Sequence, residues 1–330
     1  MQRIINEADV LVGFNLKHDL HWLRRYGLVF DHVTVWDVQL AYFNLAAQTK
    51  PYPSLNEVSA HYKLGQKLDV VATEYWDKGI DTPDVPYDIL EEYLIQDVEL
   101  TYKCYLKQQE ILKTLPKLRT LVRMCNWDLL VLEEMEYNGI KLDVDACKAA
   151  SEQAESRLKA IDAELDSMVD FSGINWGSGQ QLSNVLYGGI HTYTKKEPVK
   201  SILKSGKESW RVRNVEYKHS FPKLVEPLDK TKLKTGEYWS TSADVLSQLK
   251  AKGKAKRIVD LILERHDLAK MNSTYYKGVP ELIKTMQWED NFIHGNLNQC
   301  VAVTGRLSST KPNMQNMPAD FDLMFRSRYD

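Results

Sequence analysis

The chain has 330 residues and a mass of 38.1 kDa, more than one ordinary hydrophobic core accommodates, so two or three domains are expected. Charged residues at 27% and hydrophobic residues at 43% exclude a disordered chain. The formal net charge of −2 restricts any nucleic-acid surface to a local patch, and no apolar run approaches membrane-spanning length. Cys104, Cys125, Cys147 and Cys300 form no C-x-x-C pair and no zinc spacing, and MQRIINEADV is not a signal sequence. Reduced thiols in a cytoplasmic protein are expected.

Residues 1–116 open on Ile4–Ala8, which reads as the tail of a helix, and run into an apolar strand, Val10–Phe14. A helix follows over Lys17–Tyr26, with Asn15 at the strand end and Asp19 in the first helical turn. Val33–Val35 reads as a second strand ending in Trp36-Asp37, followed by a helix over Val38–Asn44. Ser54 is placed to cap a helix reaching Tyr62, with Glu57 completing a capping box. Strands alternating with helices argue for an α/β layer. A long helix over Pro86–Leu112 puts Tyr93 and Asp97, four apart, on one face. Such a pair is most often a surface feature.

Residues 117–290 read mainly as helices. One spans Leu118–Glu136 and ends at Asn138-Gly139, and Ile140–Leu142 is a short extended piece. Asp143 can cap a helix to about Met168, and Ser178 another with Gln181 as partner. Lys195–Lys223 then carries nine Lys or Arg against three Glu, a net of +6, with Trp210, Tyr217 and Phe221 interleaved. That segment admits two readings, a nucleic-acid grip or a solvated β-hairpin. Ser240–Ser242 can cap the next helix, and a long amphipathic helix covers Lys254 to about Tyr276.

Phe292–Val303 alternates as strands of a small antiparallel sheet, and Thr304–Pro318 follows as a polar loop. Gly305 permits a tight turn there, while Pro312 and Pro318 prevent a helix or central strand. The loop is rich in donors, which suits phosphates, sugars and minor-groove base edges.

The order of residues in that loop is specific. Thr-Gly-Arg-Leu-Ser-Ser, two spacers and Pro-Asn-Met-Gln-Asn-Met-Pro closely resemble the loop before the palm in family A DNA polymerases, the bacterial DNA polymerase I type. Five further stretches resemble the same family in collinear order. VGFNLKHDL and YLIQDVELTY are similar to the second and third motifs of its 3′–5′ proofreading exonuclease, the DEDD type with a tyrosine. LLVLEEMEYNGIKLDVD resembles the join between exonuclease and polymerase portions. The segment from Ile174 to Leu186 resembles the N-x-x-S-x-x-Q-L opening of the thumb, and ILERHDLAKMNSTYYKGVPELI its helix and tip. The length of the basic segment is closer to phage-type members than to bacterial ones.

The resemblance implies an RNase H-like exonuclease remainder of α/β class, followed by a mostly helical thumb with a small antiparallel β portion. Residues 1–116 would be the partial exonuclease domain. Residues 117–290 would be connecting helices and thumb with a basic insert at 190–240, and 291–330 the start of the palm. Asp19 and Asp97 would hold Mg2+ or Mn2+, Tyr93 would orient the attacking water, and Asn15 would steady the strand–helix junction. Thr304, Arg306, Asn313, Gln315, Asn298 and Gln299 would lie along the primer–template minor groove, with Asn316 bracing the loop. Lys270, Ser273, Thr274 and Tyr275, matching K-x-x-S-T-Y, would touch the DNA backbone. His266 stands where the family carries a further basic residue, and Arg265 one position earlier.

The family's first exonuclease motif, Asp-x-Glu, is not among these residues, nor are its palm carboxylates and fingers helix. Both ends read as cuts through a fold. The expectation is therefore a polymerase segment whose activity needs a C-terminal polymerase segment, with metal binding weak or absent in the chain alone. Alternatives are a DNA-binding module and a stand-alone 3′–5′ exonuclease.

Overall fold

A short helix, α1 (Gln2–Glu7), leads into β1 (Val10–Gly13), and α2 (Leu16–Arg25) follows. Asn15 makes the junction in the left-handed region, φ 56° and ψ 45°, which Asn tolerates better than most residues. β2 (Thr34–Asp37) pairs in parallel with β1, Val10 opposite Thr34 and Gly13 opposite Asp37, and runs into α3 (Val38–Leu45). Asp37 starts both helices. Its carboxylate accepts from Gln39 and Leu40 N–H on α3 and from Asn15 and Leu16 N–H at the start of α2. The computed structural model describes residues 1–67, 70–202, 208–234 and 236–327.

The capping box expected at α4 (Leu55–Tyr62) is formed: Ser54 Oγ accepts from Glu57 N–H at 3.2 Å, and Glu57 accepts from Ser54 N–H at 2.8 Å. After α5 (Val70–Glu74) come two long helices, α6 (Tyr87–Lys113) and α7 (Pro116–Asn138). Asn126 of α7 accepts from Asp37 N–H at 2.6 Å, and Gln108 of α6 accepts from the Trp36 indole at 2.9 Å. These bonds satisfy polar groups that burial would otherwise leave unpaired. Leu16, Leu20, Phe30, Val35, Phe43 and Leu129 fill one core cluster; Trp36, Val58, Cys104, Leu112 and Val122 fill a second. The apolar β1 is only half-buried along its length, with β2 its sole partner strand among the described residues. α7 stops at Gly139, φ 65°, where a Cβ would lie 2.9 Å from Ile293 O, so both conformation and space require glycine.

β3 (Ile140–Leu142) precedes α8 (Val144–Val169), whose first turn is capped by Asp143 accepting from Ala146 N–H at 2.8 Å. At α9 (Gly179–Tyr187) the expected capping pair is not made. Ser178 forms no side-chain cap bond, and Gln181 Oε1 instead accepts from Asn175 N–H at 2.8 Å. The basic segment is a hairpin of β4 (Gly189–Ile202) and β5 (Glu208–Phe221), paired from Gly189–Phe221 to Ile202–Glu208. Lys204 and Lys207 lie outside the described residues. Phe171 seats the hairpin base, its ring within 4.5–5.7 Å of His219, Tyr193, Phe221 and His191.

Ser242 precedes α10 (Ala243–Leu246) without a side-chain cap bond, against expectation. The long helix expected to Tyr276 is α11 (Gly253–Lys270) passing into a π-helical stretch, Met271–Lys277, and then α12 (Gly278–Thr285). Ile161, Leu165, Trp176, Leu182, Leu186, Ile258 and Ile262 fill the core here.

The chain ends with β6 (Phe292–Ile293), β7 (Asn296–Asn298), β8 (Ser308–Thr310), α13 (Ala319–Asp322) and β9 (Phe325–Arg326). β3 lies between β6 and β9 in an antiparallel sheet, and β7 pairs with β8. Extended structure expected as far as Val303 stops at Asn298, where the chain bends. Two compact units result, residues 1–142 with 282–330 and residues 143–281. The fold is mixed, mainly helical with small antiparallel sheets. Compactness divides the chain at other positions than the functional segments read from sequence.

Candidate nucleic-acid interface

The β7–β8 hairpin presents the loop singled out by sequence. Leu297 pairs with Ser309 in the ladder, and Asn298 Nδ2 donates to Thr310 Oγ1 at 3.2 Å across it. Gln299 Nε2 donates to Cys125 O on α7 at 2.9 Å. Asn298 and Gln299 therefore stand beside the loop with their amide NH2 groups engaged in holding it. Gly305 turns the chain at φ 70°, its N–H donating to Ala302 O at 2.9 Å. A Cβ there would come 3.1 Å from Gln48 Nε2. Thr304 and Arg306, flanking that glycine, are exposed.

The second half of the loop is braced by one buried hydroxyl. Ser309 Oγ donates to Pro312 O at 3.1 Å and accepts from Met314 N–H at 3.2 Å. That turn leaves Asn313 and Gln315 exposed. A guanidinium, a hydroxyl and two amides are thus held on a fixed backbone facing solvent. Such a set can donate to the acceptors that all base pairs share in the minor groove, without reading sequence.

The other residues matched to DNA contact lie in the unit formed by 143–281. Lys270 ends α11, and Ser273, Thr274 and Tyr275 lie in the π-helical stretch. Lys270, Ser273 and Thr274 are exposed, while Asn272 is buried and accepts from Ser151 Oγ at 2.7 Å. Arg265 is bonded to Asp162 of α8 at 2.6 Å, so it braces its own unit. Along the hairpin, Lys195, Lys196, Arg211, Arg213, Lys218 and Trp210 are exposed.

The carboxylates matched to the exonuclease sit on α2 and α6. Asp19 is exposed. Asp97 is half-buried, its Oδ2 lying 2.5 Å from the Lys67 ammonium and its Oδ1 buried without a partner. Lys67 also lies 4.2 Å from the centre of the Tyr93 ring, which Trp76 meets edge-on at 5.9 Å. Burial alone would lower the Lys67 pKa, but Asp97 and Tyr93 outweigh it and hold the ammonium charged. Among the described residues no three His, Cys, Asp or Glu side chains converge on a point. The described residues therefore do not make a two-metal cradle.

A charged cluster that sequence reading missed joins α2 to α7. Lys17, His21 and Arg24 face Glu133 and Glu136, all within 3.2 Å of a partner. Burial lowers the His21 pKa, but hydrogen bonds to Glu133 and Glu136 outweigh it and raise it to about 9. Both carboxylates are held below their ordinary value: burial raises them, and their cationic partners overcome it.

Fold and loop together are those of a polymerase segment. Residues 144–329, more than half of the chain, match the DNA polymerase family A profile, and the chain belongs to that family. It is 29% identical to DNA polymerase I of Synechocystis sp. over 322 residues, covering 96% of this chain and 28% of that protein. DNA polymerase I of Bacillus subtilis is 29% identical over 281 residues, covering 84% of this chain and 25% of that protein. The thermostable DNA polymerase I of Thermus thermophilus is 30% identical over 200 residues, covering 60% and 19%. The chain thus spans about a quarter of the length of the curated relatives it matches. Its fold is similar to the POL domain of Pol1 from M. smegmatis, solved in complex with DNA primer-template and dNTP. The TM-score is 0.62 at 21% identity, over 92% of this chain and 42% of that one. These relatives are bacterial and lend no support to the expected nearness to phage-type members.

Proposed function

We propose that the chain is a segment of a DNA-directed DNA polymerase acting in DNA replication in the cytoplasm, and that its own task is to grip primer–template DNA. The observation that carries this reading is the β7–β8 loop, with Thr304, Arg306, Asn313 and Gln315 exposed on a backbone fixed by Gly305 and Ser309. Arg306 is the central contact. Its guanidinium donates to minor-groove acceptors common to all base pairs, so it reports duplex geometry and not sequence. Lys270, Ser273, Thr274 and Tyr275 contact phosphates, as positioning groups without sequence preference.

In this reading residues 1–116 are the remainder of an RNase H-like exonuclease domain, 117–290 the connecting helices and thumb with the insert at 190–240, and 291–330 the entry to the palm. Nucleotidyl transfer belongs to the whole polymerase, with Mg2+ or Mn2+ held by palm carboxylates outside these 330 residues. The partner in this reading is a C-terminal polymerase segment. Mixing the chain with such a segment and assaying primer extension tests this: extension is expected only in the mixture, and extension by the chain alone would overturn it.

A second reading, a stand-alone 3′–5′ exonuclease, rests on Asp19, Tyr93 and Asp97. The pairing of Asp97 with Lys67 weighs against it.

A further inference from the structure

The charged cluster between α2 and α7 does more than join two helices. Lys17, His21 and Arg24 recur along one face of α2, and Glu133 and Glu136 along one face of α7. Glu133 is fully buried and the Glu136 side chain is 4% exposed. Burying such pairs costs desolvation that their attraction barely offsets, so an apolar contact would hold the helices equally well. The difference lies in what Lys17 and Glu136 reach next.

Their ion pair, 2.5 Å long, also takes both polar atoms of the Leu297 backbone. Lys17 Nζ donates to Leu297 O at 2.5 Å, and Glu136 Oε1 accepts from Leu297 N–H. Leu297 is the middle residue of β7, which among the described residues pairs with β8 alone. In an antiparallel pair alternate residues turn their N–H and C=O away from the partner strand. The ion pair meets this outward N–H and C=O with one acceptor and one donor, as the backbone of a third strand would.

We propose that Lys17 and Glu136 are positioning residues for the DNA-facing loop, acting as a side-chain substitute for a neighbouring strand on β7. The inference rests on the reading of Thr304–Pro318 as a DNA contact. Leu297 is followed at once by Asn298 and Gln299, which hold the loop carrying Arg306. A residue of α2, two positions before Asp19, thereby sets the aim of a loop far along the chain. The Lys17 ammonium and the Leu297 N–H share one carboxylate oxygen, Glu136 Oε1, so loss of either side chain removes one bond to the strand and disturbs the other.

Primer–template affinity of Lys17→Met, Arg306→Ala and the double variant, by fluorescence anisotropy at fixed salt, tests this. Lys17→Met is expected to bind about ten-fold more weakly, and the double variant no more weakly than about the worse single one, because a misaimed Arg306 has little left to lose. Lys17→Arg, which keeps a charged donor, should recover most of the affinity. Hydrogen exchange should show the Leu297 amide losing protection in Lys17→Met while the α6 amides keep theirs. Wild-type affinity in Lys17→Met, or losses that simply add in the double variant, would overturn the positioning role. If Lys17→Met does not fold, Glu136→Gln replaces it, with roughly a three-fold loss expected and unchanged affinity counting against the proposal. Wild-type binding by Arg306→Ala would instead refute the DNA reading on which the inference stands.

Discussion

The ammonium of Lys67 lies 2.5 Å from Asp97 Oδ2 and 4.2 Å from the centre of the Tyr93 ring, so one cation serves both side chains. A divalent ion arriving at Asp97 must displace that ammonium, and among the described residues no group of three His, Cys, Asp or Glu side chains is placed to hold it. Labelled single-stranded DNA incubated with the chain and Mg2+ or Mn2+ is expected to remain undegraded. Degradation that disappears in Asp97→Ala would show the opposite.

Arg306→Ala should weaken primer–template binding equally for all sequences. Removing one cationic contact is expected to lower the slope of log affinity against log salt by about 1. A salt titration with two primer–templates of different sequence checks both statements. An unchanged slope would place Arg306 off the DNA.

Stability should fall with rising pH through the His21 cluster. His21 holds its proton to about 9 in the fold, against an ordinary 6.5. The fold binds that proton more tightly than the unfolded chain does, so the contribution is complete below about 6.5 and lost as pH rises through about 9. The ring is 31% exposed, and solvent screening reduces the effect to about 1–2 kcal/mol. Urea midpoints between pH 6.5 and 9 should decline in the wild type and stay flatter in His21→Gln.

Glu133→Ala should be severely destabilising. Glu133 has no exposed surface and answers both Arg24 and His21; its loss would leave Arg24 with Asp31 and His21 with Glu136 as their remaining carboxylates. Breaking a buried pair from one side costs roughly 3–5 kcal/mol, and Arg24 keeps Asp31 as a partner, which favours the lower end. A lowered urea midpoint at constant slope is the expected signature.

Leu186→Ala, in the core of residues 143–281, should cost about 2–5 kcal/mol through the cavity it leaves. Differential scanning calorimetry would read it as a lowered melting temperature. A change within error would mean that the neighbouring side chains collapse into the space.

Features set by neighbours in sequence were legible. Ser54 with Glu57 and Asp143 with Ala146 close caps over three residues, so residue type and spacing suffice. Ser178 with Gln181 satisfied the same rule and failed, because the Asn175 N–H offered Gln181 another bond. The order of residues in Thr304–Pro318 disclosed the loop, and Gly305 turns where expected. What supports that loop was not legible. Lys17 meets Glu136 across 119 residues, and Lys67 meets Asp97 across 30, at separations where helical spacing carries no information. Net charge marked the basic segment, yet charge does not distinguish a grip from a solvated ribbon. The ring of Phe171, outside that segment, is what anchors it as a hairpin.

The placement of β3 at the centre of its sheet has a consequence in time. Ile140 pairs with Ile293 and Leu142 with Phe325, so both partners are synthesised only after the whole of residues 143–281. At about 5–20 residues per second, β3 waits with both edges bare for roughly ten to thirty seconds. A naked strand in a nascent chain is an invitation to wrong pairing. Its three residues, with an exposed Lys141 in the middle, keep that invitation short and charged.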